Sequence, residues 1–179
     1  MRKRDLETVG GFVDRRNRPL IVRCGWNDTI AQVLPELSRQ EHITQTTPRD
    51  ATERFVDETQ ANKWYDNPDK EPVVYTLRLG GLSAAVSGLV WFSRQENVDA
   101  PGFGYTSGFR LYEDTVGRGL AKPFSRIAHD DFAKHQPGQG VWLETDQTNA
   151  PAVALYDRLG YKIVANNDGR LVMTWQPYA

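Results

Sequence analysis

Two stretches of this chain combine residue types and spacings that can do chemistry. The first is Val116, Gly117, Arg118, Gly119, Leu120, Ala121 and Lys122, a glycine-rich turn between a strand-like run and a helix-like run. Glycine has no Cβ, so the backbone there can curve tightly and admit a ligand to its N–H groups. At a helix N-terminus, orphan amides and the macrodipole favour an anion, and Arg118 and Lys122 add positive charge. A plain turn that needs glycine only for its φ angles fits the same residues. The stretch is no P-loop, because Gly-x-x-x-x-Gly-Lys-[Ser/Thr] is absent, and no dinucleotide fingerprint, because Gly-x-Gly-x-x-Gly is absent.

The second stretch begins about thirty residues later: Leu143, Glu144, Thr145 and Asp146, then Asn149, Ala152, Leu155, Tyr156, Gly160 and Tyr161. Asn149 and Tyr156 are seven apart, about two helical turns, so both can face one ligand; equally, Asn149 can be a helix N-cap and Tyr156 a packing residue. Taken together the two stretches resemble the GNAT superfamily of acyl-CoA-dependent N-acetyltransferases. That pattern is [Gln/Arg]-x-x-Gly-x-[Gly/Ala] after a strand, then a helix, a strand, and Asn-x-x-Ala-x-x-Leu-Tyr-x-x-x-Gly-[Phe/Tyr]. The strong match covers about residues 109–161, and it departs from the family at Val116, where Gln or Arg is usual.

The resemblance implies an α/β (α+β) fold with a mixed, mostly antiparallel central sheet flanked by helices on both faces. It implies acetyl-CoA as co-substrate, its diphosphate held by N–H groups of residues 117–121 and its thioester carbonyl polarised by backbone near Leu111. Tyr156 is then the acid for the leaving thiolate: a phenol near pKa ~10 and a thiol near ~8.5 are close enough for useful donation. Asn149 would touch the cofactor while capping its helix. No carboxylate stands on the strand before the glycine turn; Glu144 is the candidate base, with Asp146 and Glu113 as further carboxylates. The implied reaction is acetyl transfer to a primary amine, on a small molecule or peptide, by direct attack. Many members of that family dimerise. Two other functions fit: a non-catalytic acyl-CoA-binding module, and a phosphate or nucleotide binder that uses the glycine turn alone.

Positioning these residues takes a definite set of elements. Residues 19–24 read as a strand. Asp28 can cap a helix in which Ile30, Val33, Leu34 and Leu37 fall at helical spacing and Pro35 predicts a kink or early end. A second helix is expected from Thr47, Pro48, Arg49 and Asp50, carrying Phe55 and Val56, with Trp64 and Tyr65 at or beyond its end. Residues 73–79 and 82–92 read as a hairpin around Gly80 and Gly81, and 105–112 as another strand. A helix runs from the glycine turn to about His135, where His129, Asp130, Asp131 and His135 read as a polar face. Residues 141–145 form a strand, 149–159 a helix closed by Gly160, and 161–165 with 171–176 a hairpin around Asp168 and Gly169.

Composition bounds the rest. With 179 residues, 39% apolar and 25% charged, the chain fits one domain, 19–179, behind a polar, arginine-rich N-terminal extension, 1–18. Twenty-two basic against 23 acidic residues give net charge -1, so no global field draws the protein to nucleic acid or membrane. Cys24 is the only cysteine, which excludes an intramolecular disulfide, and three histidines make a metal site an unlooked-for feature. No secretory signal and no apolar run of about 20 residues is present, so a cytoplasmic address is expected.

Overall fold

Strands β2 (Pro19–Cys24), β3 (Val73–Leu79), β4 (Val86–Arg94), β5 (Tyr105–Leu111), β6 (Val141–Asp146), β7 (Lys162–Asn167) and β8 (Arg170–Trp175) fall where the sequence predicts them. They are seen in a computed structural model that describes residues 6–81 and 85–177. The expected start of the returning strand at 82–84 lies outside the described residues. β3 and β4 are buried on both faces almost throughout, as unbroken runs of strand formers require. Asp168 (φ 50) and Gly169 (φ 90) both take left-handed backbone in the β7–β8 turn, the conformation a two-residue hairpin connection needs.

An additional strand, β1 (Glu7–Val13), pairs antiparallel with β2. The polar, arginine-rich composition of residues 1–18 reads as an extension, but residues 7–13 pair into the sheet instead. Ile127 covers Gly10 so closely that a Cβ there would lie 2.8 Å from Ile127 Cγ2. The finished sheet has eight strands in the order β1-β2-β3-β4-β5-β6-β8-β7. All neighbours are antiparallel except β5 and β6.

Helices α1 (Asp28–Leu37), α2 (Glu41–Thr46) and α3 (Glu58–Tyr65) lie on one face, where Ile30, Leu34, Ile43 and Ala61 pack on Val74, Leu89 and Trp91. Helices α4 (Ala121–His135) and α5 (Ala150–Leu159) cover the other, with Phe124, Phe132 and Leu155 over Leu77, Val90 and Phe92. The mixed α/β sheet flanked on both faces is therefore as the sequence implies. Asn27 caps α1, its side chain accepting from Ile30 N at 3.0 Å, so Asp28 is the first helical residue rather than the cap. α1 ends two residues after Pro35.

The single helix expected from Thr47 is broken in two. A π-helical turn, Asp50–Arg54, is followed by Phe55, fully buried, and then by α3, which Asp57 caps by accepting from Gln60 N at 2.8 Å. Asp50 is 1% exposed and ion-paired to both Arg54 and Arg110. A buried carboxylate must keep its partners, so this clamp, and not helical periodicity, sets the local backbone.

Candidate active site

β5 and β6 run side by side for only two residue pairs, Tyr105 with Val141 and Thr106 with Trp142. Beyond them the strands part, and a gap opens in the sheet between residues 107–111 and 143–146. The direction of the β5 backbone follows from its ladder with β4. Tyr112 N–H donates to Ser87 O at 3.1 Å, and alternate residues turn to the same neighbour. Gly108, Arg110 and Tyr112 therefore face β4, whereas Phe109 and Leu111 turn their backbone polar groups into the gap. Both carbonyls there are taken: His42 Nε2 donates to Leu111 O at 2.9 Å, and Arg110 Nη1 to Phe109 O at 2.7 Å. The N–H groups of Phe109 and Leu111 find no acceptor among the described residues. The gap thus offers donors, which is what a carbonyl acquiring negative charge requires.

The chain then enters the glycine turn. Thr115 is fully buried, its Oγ1 within 2.7 Å of Ser87 O and 2.8 Å of Tyr112 O, which anchors the base of the loop. Gly117 (φ 74) and Gly119 (φ 73) take the left-handed backbone that favours glycine. The N–H groups of Gly117, Gly119 and Leu120 have no acceptor among the described residues, and no side chain caps α4. Pro123 removes one further donor from the first turn. Arg118 is part-buried and its Nη1 is buried without a partner; Lys122 is exposed, and Val116 is 49% exposed. A run of unpaired backbone donors beside two cations is an arrangement able to hold an anion.

Across the gap, Asn149 caps α5 through Oδ1, which accepts from Ala152 N at 3.3 Å, and Gly160 (φ 96) closes that helix. Tyr156 is half-buried on α5, its ring 5.5 Å from that of Tyr161. Burial pushes the Tyr156 phenol above its ordinary value, and the Arg110 charge opposes this. Tyr161 lies deeper, its OH 3.2 Å from Ser107 Oγ and 2.8 Å from His129 Nε2. His129 Nδ1 is 2.7 Å from Ser125 O; a carbonyl only accepts, so Nδ1 donates and Nε2 accepts from the phenol. The expected polar face on α4 is therefore half wrong. His129 and Asp131 are buried, Asp131 accepting from Tyr75 OH at 2.9 Å, because these polar groups satisfy one another inside the core.

The model of an acetyltransferase (GNAT) domain matches residues 26–162. The chain belongs to the GNAT acetyltransferase family. No curated protein matches it in sequence. Among solved structures it is similar to the GNAT domain of S. lividans PAT, with TM-score 0.68 and 14% identity over 94% of this chain and 96% of that one. It is similar to yncA, a putative acetyltransferase from Salmonella typhimurium solved with acetyl-CoA, at TM-score 0.67 and 16% identity over 88% and 93%. A third is spermidine N-acetyltransferase from Vibrio cholerae in complex with CoA and spermine, at TM-score 0.67 and 16% identity over 88% and 95%.

In this GNAT chain the face of the gap below α1–α3 carries the remaining polar groups. Glu144 is exposed on β6, 3.5 Å from Arg170 Nη2 and 3.4 Å from Asn97 Nδ2. Asp146 accepts from Thr148 N and Oγ1 at 2.8 and 2.6 Å, bonds that hold its carboxyl below the usual range. Glu113 is exposed beyond β5. Trp26 and Trp64 pack: Trp26 stacks on Tyr65 with centroids 4.8 Å apart, and Trp64 meets Trp91 edge-on at 5.6 Å. Cys24 is fully buried in the sheet. Two residues of the site escape the sequence reading, His42 and Arg110. Neither sits in a motif, and only the fold brings α2 to a strand that follows it by 69 residues. Among the described residues no helix is long and apolar enough to cross a membrane, and no cluster of three His, Cys, Asp or Glu could hold a metal.

Proposed function

We propose that this protein transfers the acetyl group of acetyl-CoA to a primary amine by direct attack in a ternary complex. One observation carries the reading. The parted β5 and β6 leave the N–H groups of Phe109 and Leu111 unpaired at one end of a path whose other end is the unpaired N–H cradle of residues 117–120. A molecule with an anionic diphosphate at one end and a thioester at the other fits both sets of donors. The solved relatives with CoA, acetyl-CoA and spermine bound support the same co-substrate and a cationic amine.

In this reading Leu111 N–H donates to the thioester oxygen as it gains charge, and Phe109 N–H lies one register along the same edge. Tyr156 serves the leaving sulfur. Its raised pKa keeps the phenol protonated at neutral pH, so the thiolate is met by a hydrogen bond before it takes any proton. Asn149 spends its oxygen on the helix cap and keeps its amide NH2 for the co-substrate arm.

The attacking amine must lose a proton, since an alkylammonium near pKa ~10 is about 0.1% neutral at pH 7. His42 is the residue we assign to accept it. With Nε2–H committed to Leu111 O, its proton-accepting atom is Nδ1, and the carbonyl steadies the imidazolium that forms. Glu144, the carboxylate the sequence points to, is exposed and shared with Arg170 and Asn97, which suits it less.

Thiol release from acetyl-CoA over a panel containing a polyamine, an aminoglycoside and a peptide with a free N-terminus tests the proposal. Amine-dependent release with an N-acetylated product is expected. Tight CoA binding with no release above hydrolysis for any amine would instead mark the protein as an acyl-CoA-binding module.

A further inference from the structure

The turn joining β1 to β2 carries an arginine to the glycine turn. Asp14, 7% exposed, builds it: Oδ1 accepts from Arg16 N and Arg18 N at 2.8 and 2.9 Å, and Oδ2 from Arg18 Nε and Nη2 at 2.8 and 2.6 Å. These donors hold the Asp14 carboxyl down to about 2. Asn17 turns the chain with φ 56. Because Ile127 of α4 sits over Gly10 of β1, this turn and the loop that opens α4 share one frame. On that frame the Arg15 guanidinium lies 3.6 Å from the point a Cβ at Gly119 would occupy.

Arg15 is exposed and makes no hydrogen bond or ion pair with any described residue. The glycine turn it approaches carries Arg118, whose Nη1 is buried without a partner, Lys122, and the unpaired N–H groups of Gly117, Gly119 and Leu120, while the Asp14 carboxylate is committed to Arg16 and Arg18. Asp114, the carboxylate on the same loop, accepts instead from Ser87 Oγ at 2.8 Å, and Val116 offers no side-chain donor. Several cations gathered on unpaired amides without a counter-ion repel one another until an anion arrives.

We infer that Arg15 is a phosphate-binding residue, donating to phosphate oxygens of the co-substrate held at residues 117–120. The N-terminal hairpin is then part of the donor site. The inference rests on the acyl-CoA reading above, and commits to a phosphate of CoA, either the diphosphate or the 3′-phosphate.

Titration calorimetry of wild type, Arg15→Gln and Gly119→Glu with CoA, 3′-dephospho-CoA and pantetheine tests it. Arg15 is exposed, so its substitution leaves the fold intact, and an unchanged melting temperature verifies this. Arg15→Gln is expected to weaken CoA about fivefold, the size of an exposed charge pair, with a shallower salt dependence and unchanged pantetheine affinity. Equal loss for dephospho-CoA assigns the guanidinium to the diphosphate; loss for CoA alone assigns it to the 3′-phosphate. Wild-type CoA affinity in Arg15→Gln, with binding lost in Gly119→Glu, overturns the inference and leaves the acyl-CoA reading standing. A parallel loss of pantetheine binding in Arg15→Gln also overturns it. A wild-type protein that binds no CoA removes both.

Discussion

His42 Nε2–H donates to the carbonyl oxygen of Leu111 at 2.9 Å, joining helix α2 to the end of β5. The bond does two things at once. It removes a carbonyl oxygen from the gap, leaving the Leu111 N–H as the polar group presented there, and it fixes the imidazole as the tautomer with a free Nδ1.

His42→Gln separates these two effects, since glutamine retains an N–H donor but has no basic nitrogen. We expect kcat to fall roughly 100-fold, in the range for general base catalysis, while CoA affinity stays as in wild type. Steady-state rates at saturating acetyl-CoA, with titration calorimetry of CoA, decide this, and a His42→Gln variant that keeps the wild-type kcat assigns the proton to another group, Glu144 first among them.

Tyr156→Phe removes the hydroxyl and retains the ring that packs beside Tyr161. Turnover should drop about 10- to 100-fold, with the affinity for acetyl-CoA little changed. A variant that turns over at the wild-type rate, measured as thiol release, would leave the leaving sulfur without its assigned donor.

Asp50→Ala strips the shared carboxylate from Arg54 and Arg110 and leaves the nearly buried Arg110 uncompensated. Breaking a buried pair from one side costs about 3 kcal/mol, partly relieved here because the Arg54 side chain is 30% exposed. Urea denaturation should show that loss with an unchanged m value.

Burial pushes His129 down to about 4, below its value near ~6.5 in an unfolded chain. Both states are neutral above that upper value, so stability is full there. As pH falls from ~6.5 toward 4 the unfolded chain takes up the proton first and stability drops, by on the order of 3 kcal/mol if His129 acts alone. Denaturation midpoints between pH 7 and 4 should follow this curve, and His129→Gln should flatten it.

Much of the backbone around the candidate donor site was legible in the sequence, because its signals are local. Asn149 and Gly160 mark the two ends of α5 by cap chemistry, Asp168 and Gly169 mark a hairpin, and Gly117 and Gly119 mark a turn that needs left-handed backbone. The N-terminal hairpin and the α1–α3 side were not legible, because their determinants are long-range. β1 holds two glycines and becomes a strand only against β2 and Ile127; the π-helical turn exists because Asp50 meets Arg110 sixty residues away. His42 carries no motif at all. Its role rests on one contact across the fold, and Glu144 drew attention only as the carboxylate nearest a recognisable pattern.

The structure of the protein with acetyl-CoA bound tests the central claim most directly. The account predicts the diphosphate within hydrogen-bond distance of the Gly117, Gly119 and Leu120 nitrogens, the thioester oxygen on Leu111 N, and the sulfur facing the Tyr156 hydroxyl. Co-substrate bound elsewhere, or a thioester that reaches the gap without engaging Leu111 N, would contradict it.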